Sequence, residues 1–312
     1  MSATFDDILK LVGQCSPKKL AVAAAQDEPV LEAVAEARKR GIAEPILVGD
    51  EKKIREISRG LGIDLSGVRI IDEPDVEQAS LKAVKLVHDK EADMYMKGIL
   101  DTKTFLRSVL NKEVGLRTGK PLSHVAVFEI EGMNRLLFLT DVAFMPYPTL
   151  EDKETIINYT VQVAKACGVV MPKVAPLAAV EVVNPKMPCC VEADQLTKWN
   201  EEGRIKDCIV DGPLSMDLAI DPSAAQHKAG ASSRKIVGDA DILLFPDIHS
   251  GNMVYKTIVR LANFRNGCLL TGTKAPVILT SRSDSFETKI NSIALAAVVS
   301  EHMNSQENGE EG

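Results

Sequence analysis

The chain alternates short aliphatic runs with longer amphipathic segments, and this alternation restricts the possible folds more than any other feature. Four such runs occur in the first hundred residues, each followed by a segment with helical periodicity: "KLAVAAA", "PILVG", "VRIID" and "DMYMKG". Alternating strands and helices predict a mainly parallel sheet that is covered by helices on both faces. We therefore predict an α/β fold.

The pattern changes after Lys120. The runs "SHVAVFEI" and "NRLLFLTDV" are joined by the polar turn "EGMN", which predicts a β-hairpin. A second strand–helix series begins after the proline-containing segment "MPYPT", so we predict a domain crossing near residues 143–148. By their residues alone, the last strand and helix could belong to either domain.

Charge and hydropathy exclude several kinds of partner. The net charge of −7 argues against a nucleic acid bound through a general basic surface. Anionic small molecules stay possible, since a few arginines in a cleft act within a screening length of about 8 Å. No apolar run approaches the roughly 18 residues of a membrane helix, and the N-terminus lacks the pattern of a signal peptide. We predict a soluble cytoplasmic protein without nucleic-acid or membrane partners.

The cysteines do not predict a metal site. All six are spread along the chain except one adjacent pair, and neither C-x-x-C nor a His/Cys cluster with zinc-ligand spacing occurs. We expect them to be reduced core residues.

The segment "SRSDSFETK" has two possible explanations. Asp284 and Glu287 are three residues apart and could form a capping box at the start of a helix. A capping box does not explain Arg282, because a cation is mildly unfavourable beside the positive end of a helix. A helix N-terminus with an adjacent guanidinium is instead suited to binding an anion. Both interpretations stay open from the residues alone.

A second polar junction follows the strand "DMYMKG". This strand ends near Lys97, and a helix begins near Thr102, at the sheet edge where open α/β folds bind ligands. Arg107 and Arg117 follow; for either one alone, an ordinary solvated charge is the favoured interpretation. Paired glycines in "GLRTGK" would let the backbone approach a phosphate closely. Neither the Walker A spacing nor G-x-G-x-x-G is present, so nothing indicates an NTPase or a dinucleotide enzyme.

Two further junctions of this kind lie later in the chain. "VDGPLSMD" contains Asp211, and "PDIHSGNMVYK" contains Asn252; each follows an aliphatic run. Helix capping would explain either one alone. Four strand-to-helix junctions with polar side chains are more than the turns alone would require.

Taken together, these segments resemble the phosphate acyltransferase family, and its phosphate butyryltransferase branch most closely. The resemblance covers nearly the whole chain and rests mainly on "MKGILDTKTFLRSVLNKEVGLRTGKPLSHVAVFE", "LLFLTDVAF", "KVAPLAAVEVVNPKMP", "VDGPLSMDLA", "GNMVYKT" and "APVILTSRSDSFETKINSIALAA". It implies two α/β domains separated by an active-site cleft, with the C-terminal helix returning to the first domain. The implied domains are residues 1–143 with 276–312, and residues 144–275.

The resemblance also implies an activity and a set of site residues. The reaction is reversible conversion of butyryl-CoA and phosphate to butyryl phosphate and CoA, without a cofactor or metal, in a homodimer or larger homo-oligomer. Ser281 and Arg282 match a Ser-Arg pair that lines the acyl phosphate site. The acetyl branch has an aspartate, read as the base for the CoA thiol, where this chain has Thr288. Glu287 is then the nearest substitute for the base and Asp284 the second choice.

Three other functions are alternatives to butyryl transfer. A phosphate acetyltransferase would differ only in the volume of the acyl pocket. A catalytically silent regulator that binds CoA or acyl phosphate is suggested by Thr288 at the expected base position. A decarboxylating nicotinamide-dependent dehydrogenase is disfavoured, since the chain lacks the metal-binding aspartate cluster.

Overall fold

A computed structural model describes residues 4–227, 233–279 and 284–310. Contacts between Cα atoms divide the chain into two compact units. We name them the amino-terminal unit (Phe5–Lys120 with Asn266–Gly312) and the central unit (Met1–Thr4 with Pro121–Arg265).

The strands and helices follow one another in the order expected for an α/β protein. The strands are β1 (Lys18–Ala23), β2 (Ala43–Gly49), β3 (Arg69–Asp72), β4 (Met94–Lys97), β5 (Ser123–Ile130), β6 (Leu137–Thr140), β7 (Lys173–Pro176), β8 (Ile209–Val210), β9 (Ile242–Leu244), β10 (Phe264–Thr271) and β11 (Val277–Ile278). The helices are α1 (Phe5–Val12), α2 (Glu28–Lys39), α3 (Glu51–Gly60), α4 (Val76–His88), α5 (Thr102–Val109), α6 (Leu150–Ala166), α7 (Pro188–Glu201), α8 (Met216–Ile220), α9 (Pro222–His227), α10 (Ile248–Leu261) and α11 (Phe286–Glu310).

The amino-terminal unit contains a mainly parallel sheet with the strand order β3-β2-β1-β4-β11-β10. Its strands are parallel except β10, which runs antiparallel to β11. Strand β4 is buried along its whole length, as expected for a parallel strand that is covered on both faces. The aromatic core is small: the Tyr95 ring stacks on Phe105 at 4.6 Å between ring centroids.

The central unit contains a second series of mainly parallel strands in the order β5-β6-β9-β7-β8. The predicted hairpin is confirmed, because β5 and β6 pair antiparallel with Val127 opposite Phe138. Strands β6, β9, β7 and β8 are parallel. The α/β fold class and the mainly parallel sheet are therefore confirmed.

The compact units do not share the boundaries of the predicted domains. The units change at residues 120/121 and 265/266, whereas the predicted crossings lie after residues 143 and 275. The hairpin accounts for the first difference, because β6 pairs with β9 and so brings residues 121–143 into the central unit. The predicted division into functional domains stays a prediction.

Among the described residues, none of the helices combines the length and the apolar character that crossing a membrane requires.

Candidate active site

The carboxyl ends of β1, β2, β4 and β11 meet at one edge of the amino-terminal unit's sheet. Ile278 pairs with Met96, so the chain after β11 leaves the sheet beside Lys97. Helices α2, α3 and α5 begin at this edge, since each directly follows a parallel strand. Such an edge is where open α/β sheets bind ligands, and we call it the carboxyl edge.

Lys97 is held at the carboxyl edge with little freedom. The residue is only 6% exposed, and its Nζ donates to the carbonyl oxygen of Gly98 at 3.4 Å. Gly98 N donates to Ala23 O at 2.8 Å, and a Cβ on Gly98 would lie 2.3 Å from Ala24 O. Glycine is therefore required here, because the turn after β4 packs directly on the backbone that follows β1.

Thr102 is the first residue of α5 and is exposed at the same edge. The helix is capped by Asp101, whose carboxylate accepts from Thr104 N at 2.9 Å. Hydrogen bonds from Thr104 lower the pKa of Asp101 below its ordinary value. Arg107 is exposed and lies five residues further along α5, roughly 7.5 Å from Thr102 along the helix axis.

The start of α11 differs from the predicted capping box. Ser285 Oγ accepts from Thr288 N at 3.0 Å, so Ser285 takes the capping position that was predicted for Asp284. Glu287 therefore lies at the second helical position rather than the third, and it is exposed. Ser281 and Arg282, the predicted Ser-Arg pair, lie outside the described residues.

Thr288 is buried and fully engaged. Its Oγ1 donates to Oδ1 of Asn266 at 2.8 Å and lies 2.9 Å from Ser285 Oγ. Since the single Thr288 proton goes to Asn266, the Ser285 hydroxyl must donate to Thr288. The chain of hydroxyls ends on an amide oxygen, which cannot take up a proton at neutral pH. Thr288 is thus a structural link between α11 and β10.

Lys289 is a buried cation that sequence reasoning missed. It is 2% exposed, and its Nζ donates to the carbonyl oxygen of Asp284 at 2.6 Å. Lys97 and Lys289 place two buried ammonium groups in the amino-terminal unit, and each is close in sequence to the N-terminus of a helix, α5 or α11. Helix N-termini and cations both favour a bound anion. A lysine in the first turn of a helix opposes the helix dipole, and this was the available sequence signal.

Arg117 lies at the opposite edge of the sheet from Lys97. It forms an isolated antiparallel bridge with Thr273, and Thr118 Oγ1 donates to Gly272 O at 2.8 Å. Residues 272–276 directly precede β11, so they lie at its amino end. The structure thus does not bring Arg117 together with Lys97 and Thr102.

Asp211 and Asn252 lie in the central unit and make internal hydrogen bonds. Asp211 is 4% exposed; its carboxylate lies 3.2 Å from Nη1 of Arg234 and accepts from Lys235 N at 2.7 Å. Asn252 Nδ2 donates to the carbonyl oxygen of Val142 at 2.9 Å. Both follow the carboxyl ends of strands, as predicted, and both stabilise neighbouring loops.

No cluster of three or more potential metal ligands occurs among residues 4–227, 233–279 and 284–310.

Comparison with known proteins identifies the family. The model of the family described as "Phosphate acetyl/butaryl transferase" matches residues 4–81 and 73–297. The chain belongs to this family. The phosphate butyryltransferase of Clostridium acetobutylicum is 56% identical over 96% of this chain and 99% of its own length. That of Clostridium beijerinckii is also 56% identical, over 96% of this chain and 98% of its own length.

The fold of this acetyl/butyryltransferase family member is similar to solved structures. A branched-chain phosphotransacylase from Enterococcus faecalis superposes with a TM-score of 0.78 at 33% identity, covering 91% of this chain and 99% of that protein. The family resemblance inferred from the sequence motifs is therefore confirmed. Of the predicted site residues, Lys97 and Thr102 lie at the carboxyl edge of the amino-terminal unit.

Proposed function

We propose that the protein transfers the butyryl group of butyryl-CoA to inorganic phosphate, producing butyryl phosphate and free CoA in a reversible reaction. The observation that carries this proposal is the 56% identity, over nearly the full chain, to proteins named phosphate butyryltransferase. The buried cation Lys97 at the carboxyl edge adds chemical support, because the substrates phosphate, butyryl phosphate and CoA are all anionic.

The chemistry requires one bond exchange and one proton transfer. A phosphate oxygen attacks the thioester carbonyl carbon, the C–O bond forms, the C–S bond breaks, and the sulfur leaves with the electron pair. In the reverse direction the CoA thiol must lose its proton before it attacks the acyl phosphate. A free thiol has a pKa of about 8.5, so a positioned carboxylate can raise the rate by roughly 10²- to 10⁴-fold.

The proposed roles follow from position and chemistry. Ser281 and Arg282 hold the phosphate, and the planar guanidinium stabilises charge on the tetrahedral intermediate. Glu287 is the proposed base, because it is a carboxylate exposed at the N-terminal turn of α11. Asp284 is the second candidate, since Lys289 fixes its backbone.

Further substrate contacts are proposed for the remaining residues. Lys97 and Thr102 contribute to the anion site at the carboxyl edge. The other proposed substrate contacts are Arg107, Arg117, Asp211 and Asn252. Because Arg117 lies at the opposite edge of the sheet from Lys97, we propose that it contacts only the far end of an extended CoA molecule. We also propose a cytoplasmic homo-oligomer that needs no metal or cofactor, CoA being a substrate.

The test is release of free thiol from butyryl-CoA after addition of phosphate to EDTA-treated enzyme. We expect phosphate-dependent release that a divalent ion does not increase. Turnover that is lost in EDTA and restored by a divalent ion would contradict the metal-free reaction. Binding of butyryl-CoA without any thiol release would favour the silent regulator.

Phosphate acetyltransferase is the second candidate function, because the family description includes both acyl groups. The same assay with acetyl-CoA decides between them. A kcat/KM for acetyl-CoA above that for butyryl-CoA would assign the protein to the acetyl branch.

A further inference from the structure

A cavity of about 560 Å³ lies at the amino edge of the sheet in the amino-terminal unit, and we call it the amino-edge cavity. The residues before β4 and before β11 line it, together with the end of α4 and the C-terminal half of α11. Asp93 marks this edge, because its carboxylate accepts from Lys19 N, near the start of β1, at 2.7 Å. Small-molecule sites have volumes of about 300–1,000 Å³, so the cavity is large enough for such a ligand.

The floor of the amino-edge cavity is apolar, and its backbone is fixed. Val87 and Leu116 are 5% and 1% exposed, and Pro276 is buried. Lys274 N donates to Leu116 O at 2.9 Å, and Tyr95 N donates to Pro276 O at 3.1 Å. The floor therefore offers apolar contacts on a rigid support, as a binding site requires.

The rim of the amino-edge cavity is positively charged, although the whole chain has a net charge of −7. Lys90 and Lys274 line the rim and are exposed. Among the described residues that line the cavity, Asp93 has the one carboxylate, and a backbone N–H already donates to it. His88 also lies on the rim, and its Nδ1 is 3.0 Å from Gly115 O. Because a carbonyl oxygen only accepts, Nδ1 carries a proton, and Nε2 is the ring nitrogen that can bind a ligand.

We propose that the amino-edge cavity binds a phosphate monoester whose organic part is apolar or aromatic. A phosphate monoester carries a charge of about −1.5 to −2 at neutral pH, which matches the two lysines of the rim, whereas a carboxylate would match one. The apolar floor takes up the organic part. The cavity lies at the opposite edge of the sheet from Lys97, so this binding does not depend on the proposed acyl transfer. Two sources have the required chemistry: the 3′-phosphate end of CoA and a separate small phosphate ester.

Titration calorimetry with phenyl phosphate tests the proposal. The titrations are run in excess inorganic phosphate, which occupies the anion site proposed at the carboxyl edge but has no apolar part. Lys274→Met and Lys90→Gly each remove one cation, and glycine suits the second position because Lys90 has a φ of 61°. We expect each variant to raise the Kd of phenyl phosphate roughly tenfold. Lys52→Met is the matched control and should keep the wild-type Kd, because Lys52 is an exposed lysine of α3 that does not line the cavity.

Three results of the titrations would overturn the proposal. The first is that phenyl phosphate does not bind the wild-type protein, and the second is that its Kd is the same in all four proteins. The third is that phenol, which has the same ring without the charge, binds as tightly as phenyl phosphate.

The KM for butyryl-CoA identifies the source of the phosphate monoester. A roughly tenfold rise in Lys274→Met and Lys90→Gly, which is absent when the substrate lacks the 3′-phosphate, assigns the cavity to the end of CoA. An unchanged KM for butyryl-CoA, together with weaker binding of phenyl phosphate, assigns it to a separate phosphate ester. A wild-type protein that binds phenyl phosphate as expected but transfers no butyryl group contradicts the proposed function alone.

Discussion

The hydroxyl of Thr288 donates to the side-chain oxygen of Asn266 at 2.8 Å, and this bond ties the first turn of α11 to β10. Both residues are buried, at 7% and 3% exposure. The second bond of Thr288, with Ser285, connects the same point to the helix cap. Removing this one hydroxyl therefore affects both the cap and the strand.

Thr288→Val should lower the free energy of unfolding by about 1–3 kcal/mol, because buried hydrogen bonds are lost while the side-chain volume is kept. Urea denaturation measures this loss. Thr257→Val is the control, since Thr257 is exposed and donates only to its own helix at Met253 O. An equal effect of the two substitutions would contradict the linking role of Thr288.

Glu287→Gln should lower kcat roughly 10²-fold or more with little change in melting temperature, because an amide cannot accept the thiol proton. Ser285→Ala is the complementary variant. It should cost about 1 kcal/mol of stability, since Ser285 is the helix cap. Near-normal kcat in Glu287→Gln would assign proton transfer to another group, with Asp284 tested next.

Arg282→Lys should lose most of the activity while the protein stays folded. Lysine keeps the positive charge but lacks the planar fork that binds two phosphate oxygens at once. Steady-state kinetics with varied phosphate and a thermal melt are the measurements. Wild-type kcat and phosphate KM in the lysine variant would show that Arg282 does not bind the phosphate.

Asp141→Asn should destabilise the protein by roughly 2–3 kcal/mol. Asp141 is 2% exposed, and its carboxylate accepts from the backbone N–H groups of His124, Ala143 and Phe144. In the variant, one carboxylate oxygen is replaced by an N–H donor that faces other donors. Urea denaturation of the variant is compared with Asp221→Asn. Asp221 is an exposed carboxylate that accepts from Ser223 N at 2.8 Å, so its substitution should cost little. Similar losses of stability in the two variants would mean that the Asp141 carboxylate does not hold the backbone of residues 141–145.

The alternation of strands and helices was sufficient to predict the fold class, because it depends on local hydrophobic periodicity. The position of Lys97 and Thr102 at a carboxyl edge followed from the same pattern. The cap of α11 could not be predicted, because Asp284 and Ser285 are adjacent and both are good capping residues. In the structure Ser285 is the cap. The residue that it caps, Thr288, also donates a hydrogen bond to Asn266, which lies 22 residues away in the chain.

Other features depend on pairings that the local sequence does not encode. The hairpin of β5 and β6 was predicted, but its pairing with β9 more than 100 residues later was not, and this pairing accounts for the change of compact unit at residues 120/121. The burial of Lys289 and of Asp141 likewise arises from packing between distant segments. In the sequence each looks like an ordinary charge next to a turn or a helix end.

Lys97→Met tests whether the carboxyl edge binds an anion. The lysine is 6% exposed, so methionine fills nearly the same volume while the positive charge is removed. We expect the phosphate KM to rise roughly tenfold, because removal of the positive charge weakens the attraction of the carboxyl edge for an anion. Lys274→Met is the matched control: Lys274 is exposed in the same unit, at the opposite edge of the sheet. An unchanged phosphate KM in Lys97→Met, or an equal rise in both variants, would remove Lys97 from the anion site.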